Sequence, residues 1–440
     1  MNLLTSPYLW AILALSIAIP ALFIAGARYV AYRLAGRPGS VRAPATTVFP
    51  IPTLRFASRW QVLRTLLILG VLGLGTGIIL LRFVYGLGAV TNLSDQFTWG
   101  LWISFDVMCG VALAAGGFVM CATVHVFRLK RFEPLTRPAV LTAFLGYLLV
   151  IGGLLVDLGR PYNVWRPLVH WQVHSVLWEV GVCVATYTTV LFIEFLPVIL
   201  ERLNKVELIT RRLPTISLYR LLKKVSIVFV ILGVVLSTMH QSSLGSLWVL
   251  LPGKLSALWY SLYLPVFFWM SAVAVGLAMT IVESTLSSRA FKRGLELHLL
   301  ADLAKAGAVV LLIYLAARLA DLVLWGAWPL LFQPTLQAAA FWAEIGLGVI
   351  LPMVLFAIPA LRRKAGVLFG GALLVVVFGV VLNRLNVGII GLLPYTGNVY
   401  APSWMEFAVS LMLVMLGVIA FGLAAKYLPV FPEEGERHAA

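Results

Sequence analysis

Asp106, Asp157, Glu179, His240, Asp321, Glu344, Arg384 and Glu406 are ionisable side chains set in or beside long apolar runs. A charge in lipid is costly, so it faces a bundle interior, a partner or a water-filled cavity. Asp157 and Arg160 stand three residues apart, a spacing at which helical side chains touch. His240, followed by Gln241, Ser242 and Ser243, brings a group that titrates near neutral pH and can pass protons. Carboxylates, a histidine and an arginine among apolar helices and aromatics fit a quinone. Its ring needs an apolar slot, and its oxygens need acid/base partners, because two electrons and two protons are exchanged together. In this reading Asp157 and His240 exchange protons with the ring, Asp106 and Glu179 support them, and Arg160 orients Asp157 or the ring. Gln241, Trp102 and Asn163 complete the ring contacts. The plainer alternatives are a structural Asp157–Arg160 ion pair and a His240 that only anchors a hydrogen bond.

Other chemistries lack their residues. His170 and His174 have the spacing to share a helix face, but no further ligand accompanies them, so no metal site is expected. A dihaem membrane cytochrome needs two facing pairs of histidines. His438 lies in the tail, His298 in a loop, His125 and His240 near opposite faces, and His170 and His174 at the surface, so no haem is expected. Cys109, Cys121 and Cys183 are dispersed in apolar runs without a CxxC or CxxCH motif, which argues against haem c attachment and an iron–sulfur cluster held by this chain alone.

The elements that must position these residues follow from composition. The chain of 440 residues is 61% hydrophobic and 11% charged, against about 45–50% and about 25% in soluble domains. Lipid is therefore the expected solvent. The net charge of +16 does not indicate nucleic acid, because the positive charges sit in short loops between apolar runs. A spanning helix needs about 20 mostly apolar residues. Eleven segments qualify: 8–31, 64–87, 101–126, 138–158, 175–198, 222–240, 258–283, 301–324, 340–360, 365–385 and 404–427. The first has no Lys or Arg before Arg28 and reads as a transmembrane helix rather than a cleavable signal. With the N-terminus outside, 27 of the 33 Lys and Arg fall on the cytoplasmic side, so the expected topology is N-out and C-in.

Asp157-Leu158 and Glu179 recur as Asp321-Leu322 and Glu344, with spacings of 22 and 23 residues. This suggests a parallel duplication of a four-helix unit. The expected organisation is an extra N-terminal helix and basic loop (1–63), a first four-helix bundle (64–198), a basic loop and second bundle (199–360), and two C-terminal helices with a tail (361–440). Polar, Gly- and Trp-rich outer segments such as 86–102, 157–175, 240–248 and 383–404 suggest a docking surface at that face. Glu194, Glu283, His125 and Asp302, near the inner ends, are either groups that reach water or paired neighbours, or parts of a proton route from the cytoplasm.

Several segments carry a resemblance: GLGAVTNLSDQFTWGLWISFDVMCGVALAAGG, DLGRPYNVW, HSVLWEVGVCVATYTTVLFIEF, STMHQSSLGSL, and NRLNVGI with APSWMEFAVSL. Across about 86–410 the chain resembles the NrfD and polysulfide-reductase family of membrane subunits, closest to its HybB-type hydrogenase branch. The helix 8–31 is additional to that branch's pattern. The resemblance implies two four-helix bundles with extra helices in a bacterial inner membrane, no haem, and reaction with menaquinone or ubiquinone near the outer face. It also implies a periplasmic ferredoxin-like iron–sulfur subunit, and a further redox subunit that is a hydrogenase, a multihaem cytochrome c or a molybdenum enzyme. Carried over residue by residue, the implied site is Asp106, Asp157, Arg160, Glu179, His240 and Gln241. Two other classes stay open: a secondary transporter, favoured by the repeat and the buried charges, and a purely structural membrane anchor.

Overall fold

A computed structural model describes residues 59–97, 99–205, 210, 214–397 and 400–431. The expected helix 8–31, with most of the 1–63 segment, lies outside the described residues. The protein is an all-α integral membrane protein: among the described residues there is no β-strand, and ten helices are long and apolar enough to cross a membrane. They are α1 (Arg59–Tyr85), α2 (Trp102–Val126), α3 (Lys130–Asp157), α4 (Val176–Leu203), α5 (Thr215–Val249), α6 (Leu264–Ala290), α7 (Leu297–Leu324), α8 (Leu336–Ala357), α9 (Ala365–Thr396) and α10 (Trp404–Tyr427). Each of the other ten expected segments is one of these. Helices satisfy their own backbone groups, which is why lipid selects them.

α5 is longer than expected. Its 35 residues make a rod of about 52 Å at 1.5 Å per residue, against about 30 Å of hydrocarbon. The surplus carries Arg220, Lys223 and Lys224 at one end. At the other end, the polar stretch beginning at His240 does not close the helix, as expected from 222–240, but continues it for nine residues. The reason is tertiary: His240, Gln241 and Ser243 are buried and have partners on neighbouring helices.

The helices form two rings. α2 packs on α3, α3 on α4, α4 on α5, and α5 closes back onto α2; α6, α7, α8 and α9 repeat the pattern. α6 also contacts α5 and α2 and so joins the rings, while α1 pairs with α10, and α10 lies on α3. The bundles therefore run over α2–α5 and α6–α9, not over 64–198 and 199–360. The Asp-Leu and Glu recurrence fixes a four-helix offset but not the helix at which the unit begins. The α1–α10 contact joins opposite ends of the chain and leaves no local trace.

Several spans contain wider π-helical turns. In α2 these are Trp102–Cys109 and Ala122–Val126, in α8 Gly346–Ile350, and in α9 Val375–Val381 and Asn386–Ile390. Such turns often mark functional sites. At one place they allow backbone-to-backbone packing: a Cβ on Gly348 would lie 2.2 Å from the Gly379 nitrogen. Only glycine fits there.

Candidate functional site

The expected site residues divide between two places. The first lies among α1, α2, α3 and α10. Trp102 is buried in the opening π turn of α2, and its indole N–H donates to the Glu406 carbonyl at 3.2 Å. One helical turn on, Asp106 accepts a hydrogen bond of 2.6 Å from the Ser410 hydroxyl of α10. Gly153 of α3 lies directly against the Asp106 Cβ. Glu406 opens α10 in a capping box with Ser403 and accepts the Tyr400 hydroxyl at 2.5 Å. Burial, and then the bond to Glu406, raise the Tyr400 phenol above its ordinary pKa, so it stays a donor.

Asp157 closes α3 half-buried, and its Oδ1 has no hydrogen-bond partner. The expected contact with Arg160 is absent. Arg160 is exposed, and no ion pair joins it to Asp157 among the described residues. The helix stops at Leu158 (ψ 122°) and Arg160 is non-helical (φ −124°, ψ 74°), so the three-residue helical spacing never forms. Arg82 of α1 comes in instead. It is buried and donates through Nε to the Val156 carbonyl at 2.6 Å and through Nη2 to the Leu158 carbonyl. Its charge also acts on Asp157. Asn163 stays in the turn after α3, half-buried.

Beside Asp106 begins an apolar slot of about 400 Å³ between α2, α3, α6 and α10. Phe105, Leu113, Leu149, Leu413 and Val418 line it, Asp106 stands at one end, and Glu283 and Ser287 stand at the other. It follows α10 from Leu413 to Gly422, about 13 Å of helix.

The second place is the interior of the α2–α5 bundle. His240 is fully buried (0% exposed), with Nδ1 2.9 Å from the Tyr147 hydroxyl and Nε2 without a partner. Gln241 donates to the Val111 carbonyl at 2.9 Å, which ties α5 to α2. Nearer the polar end, the Ser243 hydroxyl donates to Glu179 Oε1 at 2.5 Å. The α2–α3 pair thus separates His240, Gln241 and Glu179 from Trp102, Asp106 and Asp157.

The second bundle carries the repeat partners, and they are closed off. Arg318 pairs with Asp321 at 3.0 Å, with exposures of 2% and 4%, and Ser261 donates to the same carboxylate at 2.6 Å. Glu344, at 0% exposure, accepts from Trp259 (2.9 Å), Asn383 (2.7 Å) and Asn386 (2.8 Å). Arg384 bonds Ser271 and lies over the Phe268 ring. Here the i, i+3 ion pair does form, because α7 stays helical through Asp321. Sequence reasoning missed Arg82, Tyr147 and Ser410 as site residues. A tyrosine inside the apolar run of α3 was a usable signal; Ser410, three hundred residues from its partner, had none.

The chain matches the family model described as polysulphide reductase, NrfD, over residues 89–396. It is 40% identical to a protein of Nitratidesulfovibrio vulgaris, over 82% of this chain and 93% of that relative. It is 32% identical to the probable Ni/Fe-hydrogenase 2 b-type cytochrome subunit of Escherichia coli, over 82% and 92%. It is 31% identical to the menaquinone reductase integral membrane subunit of Nitratidesulfovibrio vulgaris, over 80% and 87%. With the matched segment running from the loop before α2 to the end of α9, both helix rings included, the chain belongs to the polysulphide reductase NrfD family.

Proposed function

We propose that this chain is the quinone-reactive subunit of a respiratory oxidoreductase in the bacterial inner membrane. It exchanges electrons between the quinone pool and a periplasmic iron–sulfur partner, with coupled proton transfer. The slot that ends at Asp106 carries this reading. Its apolar walls suit an isoprenoid tail, and its outer end offers a carboxyl group and aromatic neighbours to a ring. Asp106 and Asp157 then serve the ring oxygens directly, while His240 and Glu179 exchange protons from the bundle behind α2 and α3. Arg82 takes the positioning role expected of Arg160. Two relatives, a menaquinone reductase subunit and a hydrogenase subunit, favour menaquinone and a multisubunit assembly. The basic helix ends, at Arg128, Lys130, Arg131, Arg202, Arg220 and Lys223, support a cytoplasmic side for that face and an outer side for the Asp106 end.

One relative is named a b-type cytochrome subunit. Among the described histidines, His240 alone lies inside a bundle; His125 is at the basic end, and His170, His174 and His298 are exposed. This set does not fit a bis-histidine haem.

The test is fluorescence titration of the full purified chain with the quinol analogue 2-heptyl-4-hydroxyquinoline N-oxide. The expected result is saturable quenching in the wild type and at least tenfold weaker affinity in Asp106→Asn, about 1.4 kcal/mol. Linear, unsaturable quenching of well-folded wild type would sink the reading.

A further inference from the structure

We propose that the inner end of the apolar slot is a second quinone-head site, built by Thr142 and Glu283, where a ring binds without reacting. This rests on the reading above that quinone enters the slot. The two ends are well separated. On α3, Gly153 packs against Asp106, and Thr142 lies eleven residues further towards the basic end, about 16 Å of helix. α6, with 27 residues, is about 40 Å long, so it overhangs about 30 Å of hydrocarbon by about 5 Å at each end. Glu283 stands seven residues before the close of α6 at Ala290, about 10 Å from that end and so about 5 Å inside the hydrocarbon.

Both groups lack what their counterparts have. Threonines in the spans bond the carbonyl four residues back, as Thr123, Thr186, Thr238 and Thr285 do. Thr142 lines the slot from well inside α3, and its buried hydroxyl has no hydrogen-bond partner. Asp106, Glu179, Asp321 and Glu344 each accept a hydrogen bond. Glu283 is 8% exposed, and neither of its oxygens has a partner. Ser287, one turn on, faces the carboxyl but bonds the Ser284 carbonyl at 3.3 Å, and Arg293 acts on Glu283 only as a nearby charge. Buried polar groups are normally bonded. Two that are not, on separate walls of one slot, call for a ligand between them. Their depth selects its class. A phospholipid keeps its phosphate at the interface, whereas these groups need a polar atom inside the hydrocarbon. It must be carried on a body that suits the walls made by Leu145, Met279 and Phe421. A quinone meets both demands. The Thr142 hydroxyl and a protonated Glu283 donate to its carbonyls, and the hydroxyl or a carboxylate accepts from the quinol. The slot, of about 400 Å³, has room for one drug-sized ligand. A ring at the inner end is therefore held about 16 Å short of Asp106, and no electron transfer is assigned to it.

The test uses the full purified chain in lipid nanodiscs and a photoprobe, 2-azido-3-geranyl-1,4-naphthoquinone, whose reactive nitrogen sits on the ring. Labelled residues are mapped by peptide mass spectrometry, with and without excess 2,3-dimethyl-1,4-naphthoquinone as competitor. The expected result is competitor-sensitive labelling in two clusters, one around Asp106 and one around Thr142 and Glu283. Glu283→Leu strands no donor, so it should fold like the wild type, lose at least tenfold of the inner labelling and keep the outer. Thr142→Val should weaken the inner cluster in the same direction, and Asp106→Asn should weaken the outer cluster alone. Competitor-sensitive labelling confined to the outer cluster, as a slot end filled by water would give, overturns the inner site and leaves the quinone reading standing. Inner labelling that the competitor does not suppress, or that survives both Glu283→Leu and Thr142→Val, also overturns the inner site. No competitor-sensitive labelling at either end of well-folded protein overturns the quinone reading itself.

Discussion

Glu179 and Glu344 occupy matching places in the two bundles, yet removing their carboxylates should have opposite consequences. Glu344→Ala strands three buried donors, on Trp259, Asn383 and Asn386. Each stranded donor costs about 1–3 kcal/mol, and bonds of this kind inside membrane bundles measure about 0.6–1.7 kcal/mol. The two ranges overlap for three donors at about 3–5 kcal/mol. Glu179→Ala strands little: the carboxylate is half-buried, and its one donor, Ser243, retains the Met239 carbonyl at 2.8 Å. A loss within about 1 kcal/mol is expected there. Thermal unfolding in detergent can be followed with a thiol-reactive dye, because Cys109, Cys121 and Cys183 are all buried in the folded protein. Glu344→Ala should unfold at a much lower temperature, and Glu179→Ala should melt like the wild type while losing quinol turnover in the complex. Equal stability of the two variants would refute the assignment of Glu344 to structure and Glu179 to chemistry.

Further consequences follow from the same contacts. Arg82→Ala removes two buried bonds to the end of α3 and should cost about 2–4 kcal/mol of unfolding free energy, whereas exposed Arg160→Ala should stay within about 0.5 kcal/mol; equal losses would restore Arg160 as the positioning group. Gly348→Ala forces a Cβ into the Gly379 backbone and should cost about 3 kcal/mol or more, read as a lower yield of monodisperse protein. Tyr147→Phe leaves His240 Nδ1 without its partner, a loss of about 1–3 kcal/mol. It should be read as a lower melting temperature in detergent, and an unchanged melt would refute the bond's contribution.

The sequence alone determined the solvent, the element type and the spans, because twenty-residue apolar runs in lipid leave the backbone no choice but a helix. The ten spans within the described residues were legible in this way, and so was the family, from motifs such as STMHQSSLGSL. It also marked the ionisable residues, since charges in apolar runs are conspicuous. Which of them meet was decided by tertiary structure. Asp106 depends on Ser410, and the close of α3 depends on Arg82; these contacts arise because α1 and α10 pair across the length of the chain. His240 read as a helix end because the residues after it are polar, yet it lies in the bundle core, where Tyr147, Val111 and Glu179 supply what water would have given that stretch. Local sequence states how polar a residue is. Burial of that polarity is decided by partners that packing alone brings into reach.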